Sequence, residues 1–117
     1  MVNNTNLEIL VTKTIHNLRI PAHIRGYRYA RQAVMISIEN PEALNKMVKV
    51  LYPQVAEQDK TTASRVERAI RHAIDVSWDR ADKKVLYSFF GRTEKVTNKE
   101  FIAAIADKLR LQLKLAS

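Results

Sequence analysis

Apolar residues recur at three- and four-residue spacing along almost the whole chain, a rhythm that leaves room for little but helices. From Asn6 to Leu18, the residues Leu7, Val11, Ile15 and Leu18 mark one buried helical face. "RIPAHIRGYRYARQAVMISI" opens with Pro21, tolerated in a first helical turn, and continues Ile24, Tyr27, Val34, Met35 and Ile38. Gly26 near its start costs up to about 1 kcal/mol of helix propensity relative to alanine, so a close backbone contact is expected there. "ENPEALNKMVKVLY" follows, with Asn40 as N-cap and Pro41 at the first helical position. Pro53 is expected to end that helix and to start a short one from Pro53 to Gln58. A short helix over residues 83–90 has Gly91 as its stop, and Thr97 with Glu100 forms a capping box ahead of the stripe Phe101, Ile105 and Leu109. Neither an alternating β pattern nor an internal repeat interrupts this. The expected fold is all-α: one compact bundle of about six helices over residues 1–117, loose only in the first five residues, 79–83, 91–97 and the last few.

Composition narrows the function. With no cysteine there is no disulfide framework, no thiolate nucleophile and no Cys-ligated zinc, which suits a reducing cytosol. The start "MVNNTNLEILV" lacks the basic opening and continuous apolar run of a signal peptide, and no later run is long enough to span a bilayer, so a cytoplasmic protein is expected. A formal net charge of +8 points to a polyanionic partner. The excess is concentrated: Lys60, Arg65, Arg68 and Arg71 face the single acid Glu67 within residues 60–72, whereas residues 1–59 hold seven Lys or Arg against five acids.

On a helical wheel, residues 63–79 separate into two faces. Ala63, Val66, Ala69, Ile70, Ala73, Ile74, Val76 and Ser77 fall in one half; Ser64, Arg65, Glu67, Arg68, Arg71, His72, Asp75 and Asp79 fall in the other, with Trp78 near the boundary. The cations lie in the first half and the acids in the second, which is the unfavourable order for the helix dipole. A phosphate-lined groove would compensate. The preceding residues have the length and register of a helix-turn-helix over about residues 53–78. Val55 and Ala56 would sit on its first helix, Thr62 would cap the second, and Val66 and Ile70 would lock the two together. The turn reads Asp59-Lys60 where many such motifs have an apolar residue then glycine, and lysine tolerates left-handed backbone less well than aspartate. A solvated surface helix fits the same wheel.

If the segment is a helix-turn-helix, its chemistry follows. Arginine donates two parallel hydrogen bonds to guanine and a carboxylate accepts from cytosine N4, so Arg65, Glu67 and Arg68 are the base-reading candidates. Lys60, Thr62, Ser64, Arg71 and His72 are the candidates for phosphate contact and positioning. Pairing of Glu67 with Arg71 at i,i+4, worth about 0.2–0.5 kcal/mol, is the plainer alternative for those two.

"TTASRVERAIRHAI", with "PAHIRGY", "KVLYP" and "EFIAAIADKLRL", resembles the C-terminal DNA-binding effector domain of the stage-zero sporulation response regulator of endospore-forming Firmicutes, from about residue 6 to the end. The resemblance implies a helical bundle with a helix-turn-helix. It also implies a transcription factor that binds operator boxes on double-stranded DNA as a head-to-tail homodimer, activating some promoters and repressing others to control entry into sporulation. Residues 62–78 match the family's DNA-reading helix, including Ser64, Arg65, Glu67, Arg68, Arg71 and His72. Family members carry a receiver domain, phosphorylated on aspartate by a two-component system; it is expected to be absent from this chain, with residues 1–5 a linker remnant. Phe90 and Gly91 match the family's region of contact with RNA polymerase sigma factor, although "KKVLYSFFG" places Val85 and Tyr87 where small polar residues are familiar, and the loop that follows is shorter.

Two other classes are weighed against this reading. His16, His23 and His72 are the only histidines, in no metal-ligand spacing, and there is no phosphate loop or nucleophile elbow, so neither catalytic residues nor a metal or cofactor are expected. The alternative function is a helical interaction module that binds polyanions or a membrane surface through "FIAAIADKLRLQLKL", with Lys108, Arg110 and Lys114 at the lipid; membrane binding is not expected. Trp78, Phe89, Phe90 and Phe101 are assigned to the core.

Overall fold

The computed structural model describes residues 4–116, which form six α-helices: α1 (Asn4–Asn17), α2 (Arg25–Glu39), α3 (Tyr52–Gln58), α4 (Ala63–Arg80), α5 (Lys83–Phe90) and α6 (Asn98–Ala116). No strand occurs among the described residues. Of the five opening residues expected to be a linker, residues 1–3 lie outside the described residues, whereas Asn4 and Thr5 begin α1. At the other end α6 runs to Ala116, so the last few residues are helical nearly to the terminus.

The stripes of α1 and α6 are buried as their spacing predicts: Leu7, Val11 and Ile15 from one, with Leu18 just past its end, and Phe101, Ile105 and Leu109 from the other. α2 differs. It packs against α1, α4 and α6 at once, and its deepest residues are Gly26, Tyr29, Ala30, Ala33, Val34 and Ser37. Of the large residues expected to form its stripe, only Val34 is fully buried; Ile24, Tyr27, Met35 and Ile38 are half-buried at the edges. A helix with neighbours on three sides needs small side chains where their backbones approach. The close contact expected at Gly26 is present, since a Cβ built there would stand 2.2 Å from the Ala69 carbonyl oxygen and 2.7 Å from Ala73 Cβ on α4.

The proline boundaries follow expectation in part: Pro53 stands in the first turn of a short helix that ends at Gln58, and Pro41 opens a helical turn, but the path around them differs. Pro21 lies in a turn ahead of α2, whose N-cap is the extended residue Ile24. The segment expected as one helix from Asn40 is instead a 3-10 turn (Pro41–Asn45) followed by a π-turn (Met47–Leu51) that leads directly into α3. Asn40 holds the N-cap position without a side-chain hydrogen bond. Pro53 does not break the chain path, and Tyr52 before it is α-helical at φ −62°, ψ −44°. The π-turn, closed by the Leu51 N–H on the Lys46 carbonyl at 3.1 Å, widens the backbone just where the proline ring would press on the preceding turn.

The termini of α5 and α6 follow the sequence signals. Asp82 caps α5 by accepting from the Lys84 N–H, and Gly91 closes it at φ +69°. Thr97 and Glu100 form the reciprocal box: the Glu100 N–H donates to Thr97 Oγ1 at 3.1 Å and the Thr97 N–H donates to Glu100 Oε1 at 2.9 Å. Those bonds from Thr97, with Arg92 nearby, hold the Glu100 carboxyl below its ordinary value of 4.5. A depressed carboxylate stabilises the fold above its unfolded value and loses that contribution as pH falls through the lower folded value. The melting temperature of the native chain is therefore expected to exceed that of Glu100→Gln at neutral pH, with the gap closing as the solution is acidified below 4.5. A gap independent of pH would mean that the charge plays no part.

Candidate nucleic-acid interface

α3 and α4 form a helix-turn-helix, and the turn between them shows how it is made without glycine. The Thr61 N–H donates to the Ala56 carbonyl at 3.0 Å and the Lys60 N–H to the Glu57 carbonyl at 3.4 Å, the paired bonds of a Schellman motif. That motif puts its left-handed residue at Lys60, φ +54°, rather than at Asp59, which stays at φ −106°. Asp59 instead anchors the turn through its side chain, whose carboxylate accepts from Arg28 Nε at 2.9 Å and is only 12% exposed. Arg28 on α2 thus pins the turn from outside the motif. Val55, Ala56, Val66 and Ile70 are buried between the helices, and Thr62 Oγ1 accepts the Arg65 N–H at 3.2 Å to cap α4.

The two halves of the wheel are realised. Val66, Ile70, Ala73, Ile74 and Ser77 are buried; Ser64, Arg65, Arg68, Arg71 and His72 are at least partly exposed on the opposite side, and Glu67 is half-buried. The first turn of α4 holds no acid, and Arg80 in the last turn is the one basic residue placed favourably for the dipole there. Arg68 Nη2 donates to Ser64 Oγ at 3.1 Å, and Arg71 pairs with Glu67 at 2.5 Å. Thr62, Ser64, Arg65, Arg68 and His72 therefore lie along one solvent-facing ridge beginning at the left-handed lysine, with the Glu67–Arg71 pair on its flank.

That flank borders a groove of about 690 Å³ lined by Met47, Val48, Tyr52, Ile74, Val96 and the residues opening α6. The loop 91–97, expected to be loose, is tied along it. Trp78 Nε1 donates to the Thr93 carbonyl at 2.8 Å, Lys95 Nζ to Asp75 at 2.5 Å, and Arg92 to Glu100 at 3.2 Å. Phe90 and Gly91 stand apart from the ridge: Trp78, beside Phe90, is thirteen residues along α4 from Arg65, about 20 Å at the helical rise. The Phe90 ring lies 5.0 Å from Trp78 and 5.4 Å from Phe101, stacked on the latter, so it serves the core. Phe101 is fully buried, and Trp78, Phe89 and Phe90 are half-buried against the core.

Two of the basic residues of α6 that would meet a lipid surface are engaged elsewhere. Lys108 Nζ donates to the Ser88 carbonyl and sits 4.4 Å from the Phe89 ring centroid, while Arg110 donates to the Ser37 carbonyl at 2.9 Å. No helix among the described residues is long and apolar enough to cross a membrane. Sequence reasoning passes over Arg28, Tyr52 and Asn98, whose partners lie 31 to 46 residues away and leave no local pattern.

Comparison with known families matches residues 11–109 to the family described as "Sporulation initiation factor Spo0A C terminal".

Proposed function

The chain belongs to the Spo0A C-terminal family, the DNA-binding domain of a sporulation transcription factor, and from this we propose that α4 is its reading element in the major groove. In this reading Arg65, Glu67 and Arg68 contact base edges, whereas Lys60, Thr62, Ser64, Arg71 and His72 hold phosphates and fix register. The observation that carries it is the solvent-facing ridge at the start of α4, where cations accumulate against the helix dipole with no acid in the first turn. Thr62 contributes by its position, since its hydroxyl oxygen already accepts the Arg65 N–H. Glu67 reads cytosine only by loosening its pair with Arg71, which costs about 0.2–0.5 kcal/mol and is small beside a good base contact.

Two copies bind head to tail on adjacent operator half-sites, and the domain, one unit over residues 1–117, activates some promoters and represses others. Contact with sigma factor falls near Gly91 and the exposed Tyr87, because the Phe90 ring is occupied by Trp78 and Phe101. Placing the sigma surface at the far end of α4 leaves the reading ridge free for DNA.

The decisive comparison is the affinity of the chain for a duplex carrying the family's operator box and for a scrambled duplex, at two salt concentrations. A cognate preference that persists at the higher salt supports base reading; equal and steeply salt-sensitive binding overturns it. Lys60 offers a second check with two opposed signs. Lys60→Gly should relieve the left-handed strain and stabilise the domain by about 0.5–1 kcal/mol. It should also weaken operator and scrambled duplexes alike and flatten the salt slope by about one unit. Thermal melts and salt titrations of the same variant decide both.

A further inference from the structure

Asn98 is the first residue of α6, and the capping box of Thr97 and Glu100 fixes how it enters that helix. Its side-chain amide reaches out of α6 to both helices of the reading motif. Nδ2 donates to Tyr52 Oη at 3.1 Å on α3 and to the Glu67 carbonyl at 3.0 Å on α4. A primary amide has two N–H donors, so both are used; and because a backbone carbonyl can only accept, the nitrogen must be the atom facing Glu67. Tyr52 is 6% exposed, and burial pushes its phenol up, partly offset by the bond from Asn98. Glu67 O is a carbonyl within the turn of α4 that carries Glu67, Arg68 and Arg71. Gripping a helix at its backbone fixes where that turn sits, independently of the side chains around it.

We propose that Asn98 is a positioning residue for sequence reading: by joining α3 and α4 to the start of α6 it sets the pose in which α4 presents Arg65, Glu67 and Arg68. The inference rests on the reading of α4 as the base-contacting helix. Base contacts demand side chains held within a fraction of an ångström, whereas phosphate contacts tolerate a small tilt. Losing the joint therefore erodes discrimination more than affinity. A residue that merely supported folding would weaken every duplex in parallel.

The experiment compares the native chain with Asn98→Ala, Asn98→Asp and Tyr52→Phe on operator and scrambled duplexes across a salt series. Asn98→Asp keeps the shape but turns an acceptor toward the Glu67 carbonyl, and Tyr52→Phe removes one hydroxyl while leaving the other bond. The expected result for both Asn98 variants is a fall of roughly three- to tenfold in the operator-to-scrambled affinity ratio. The affinity for scrambled DNA should move less than about twofold, with an unchanged salt slope. Tyr52→Phe should fall between native and variant, and Tyr52→Phe added to Asn98→Ala should cost little more than Asn98→Ala alone, because the two share one joint. If the Asn98 variants fail to fold, Tyr52→Phe decides: an intermediate ratio supports the joint and a native ratio overturns it. Parallel losses on both duplexes, or none, overturn the inference and leave the reading of α4 standing. A native chain with no operator preference overturns both.

Discussion

Gly26→Ala is expected to destabilise the domain by about 1–3 kcal/mol and to lower its melting temperature by roughly 4–15 °C. Ordinarily alanine in place of a helical glycine gains up to about 1 kcal/mol of propensity. Here the added Cβ would meet the Ala69 carbonyl oxygen at 2.2 Å, the Ala69 carbonyl carbon at 3.0 Å and Ala73 Cβ at 2.7 Å. Two of these are backbone atoms of α4, and the third is a methyl that no rotation removes, so relief requires α2 and α4 to move apart. Both helices are packed elsewhere, α2 against α1 and α6 and α4 against α3 and α6, so separation at this crossing opens gaps beyond it. The overlap outweighs the propensity gain. Urea denaturation of the native chain and the variant measures the balance, and an equal or higher midpoint for Gly26→Ala would show that the crossing is looser than these distances. If α4 reads the operator as proposed, the variant should also lose operator preference under conditions where it remains folded.

Gly26 and Gly91 also show what kind of information the chain displays. A glycine inside a helical pattern announces a close approach, and a glycine at the end of one announces a left-handed stop. Space around Gly26 is closed, whereas a Cβ at Gly91 would meet nothing within 4 Å, its φ of +69° being the constraint. Signals of this local kind, including the Thr97–Glu100 box, the Thr62 cap and the two faces of α4, are legible because cause and effect lie within one or two turns. Legibility fails where a distant element decides. Large apolar residues dominate the pattern of α2, yet its neighbours on three sides bury Ala30, Ala33 and Ser37 and leave Met35 and Ile38 at the edge. Pro53 reads as a break because the π-turn that accommodates it has no signature in composition. The exposed half of the candidate site is visible for the same local reason as the caps. The bonds holding it in place are not: Arg28 to Asp59 and Asn98 to Tyr52 and Glu67 each join residues that nothing in the sequence associates.

Truncation of the ridge should separate binding from folding. Arg65→Ala and Arg68→Ala are each expected to cost about 1–3 kcal/mol on the operator duplex, relaxing preference at one base pair, and much less on scrambled DNA. Neither should destabilise the free domain. Both side chains lie on the solvent-facing side of α4, where substitutions usually stay within about 0.5 kcal/mol, and Arg65 stands in the first turn of a helix with no acid there. Removing a cation from that turn relieves an unfavourable dipole interaction of about 0.3–1 kcal/mol, and alanine is the better helix former. Arg68 gives up only an exposed hydrogen bond to Ser64. A melting temperature that holds or rises while operator affinity falls is a signature that general destabilisation cannot produce. Calorimetric melts and operator titrations on the same preparations test it, with base-by-base substitution of the operator locating the relaxed position. Equal losses on operator and scrambled duplexes would reduce the ridge to an electrostatic patch, since a side chain that only neutralises phosphate has no means of telling one sequence from another.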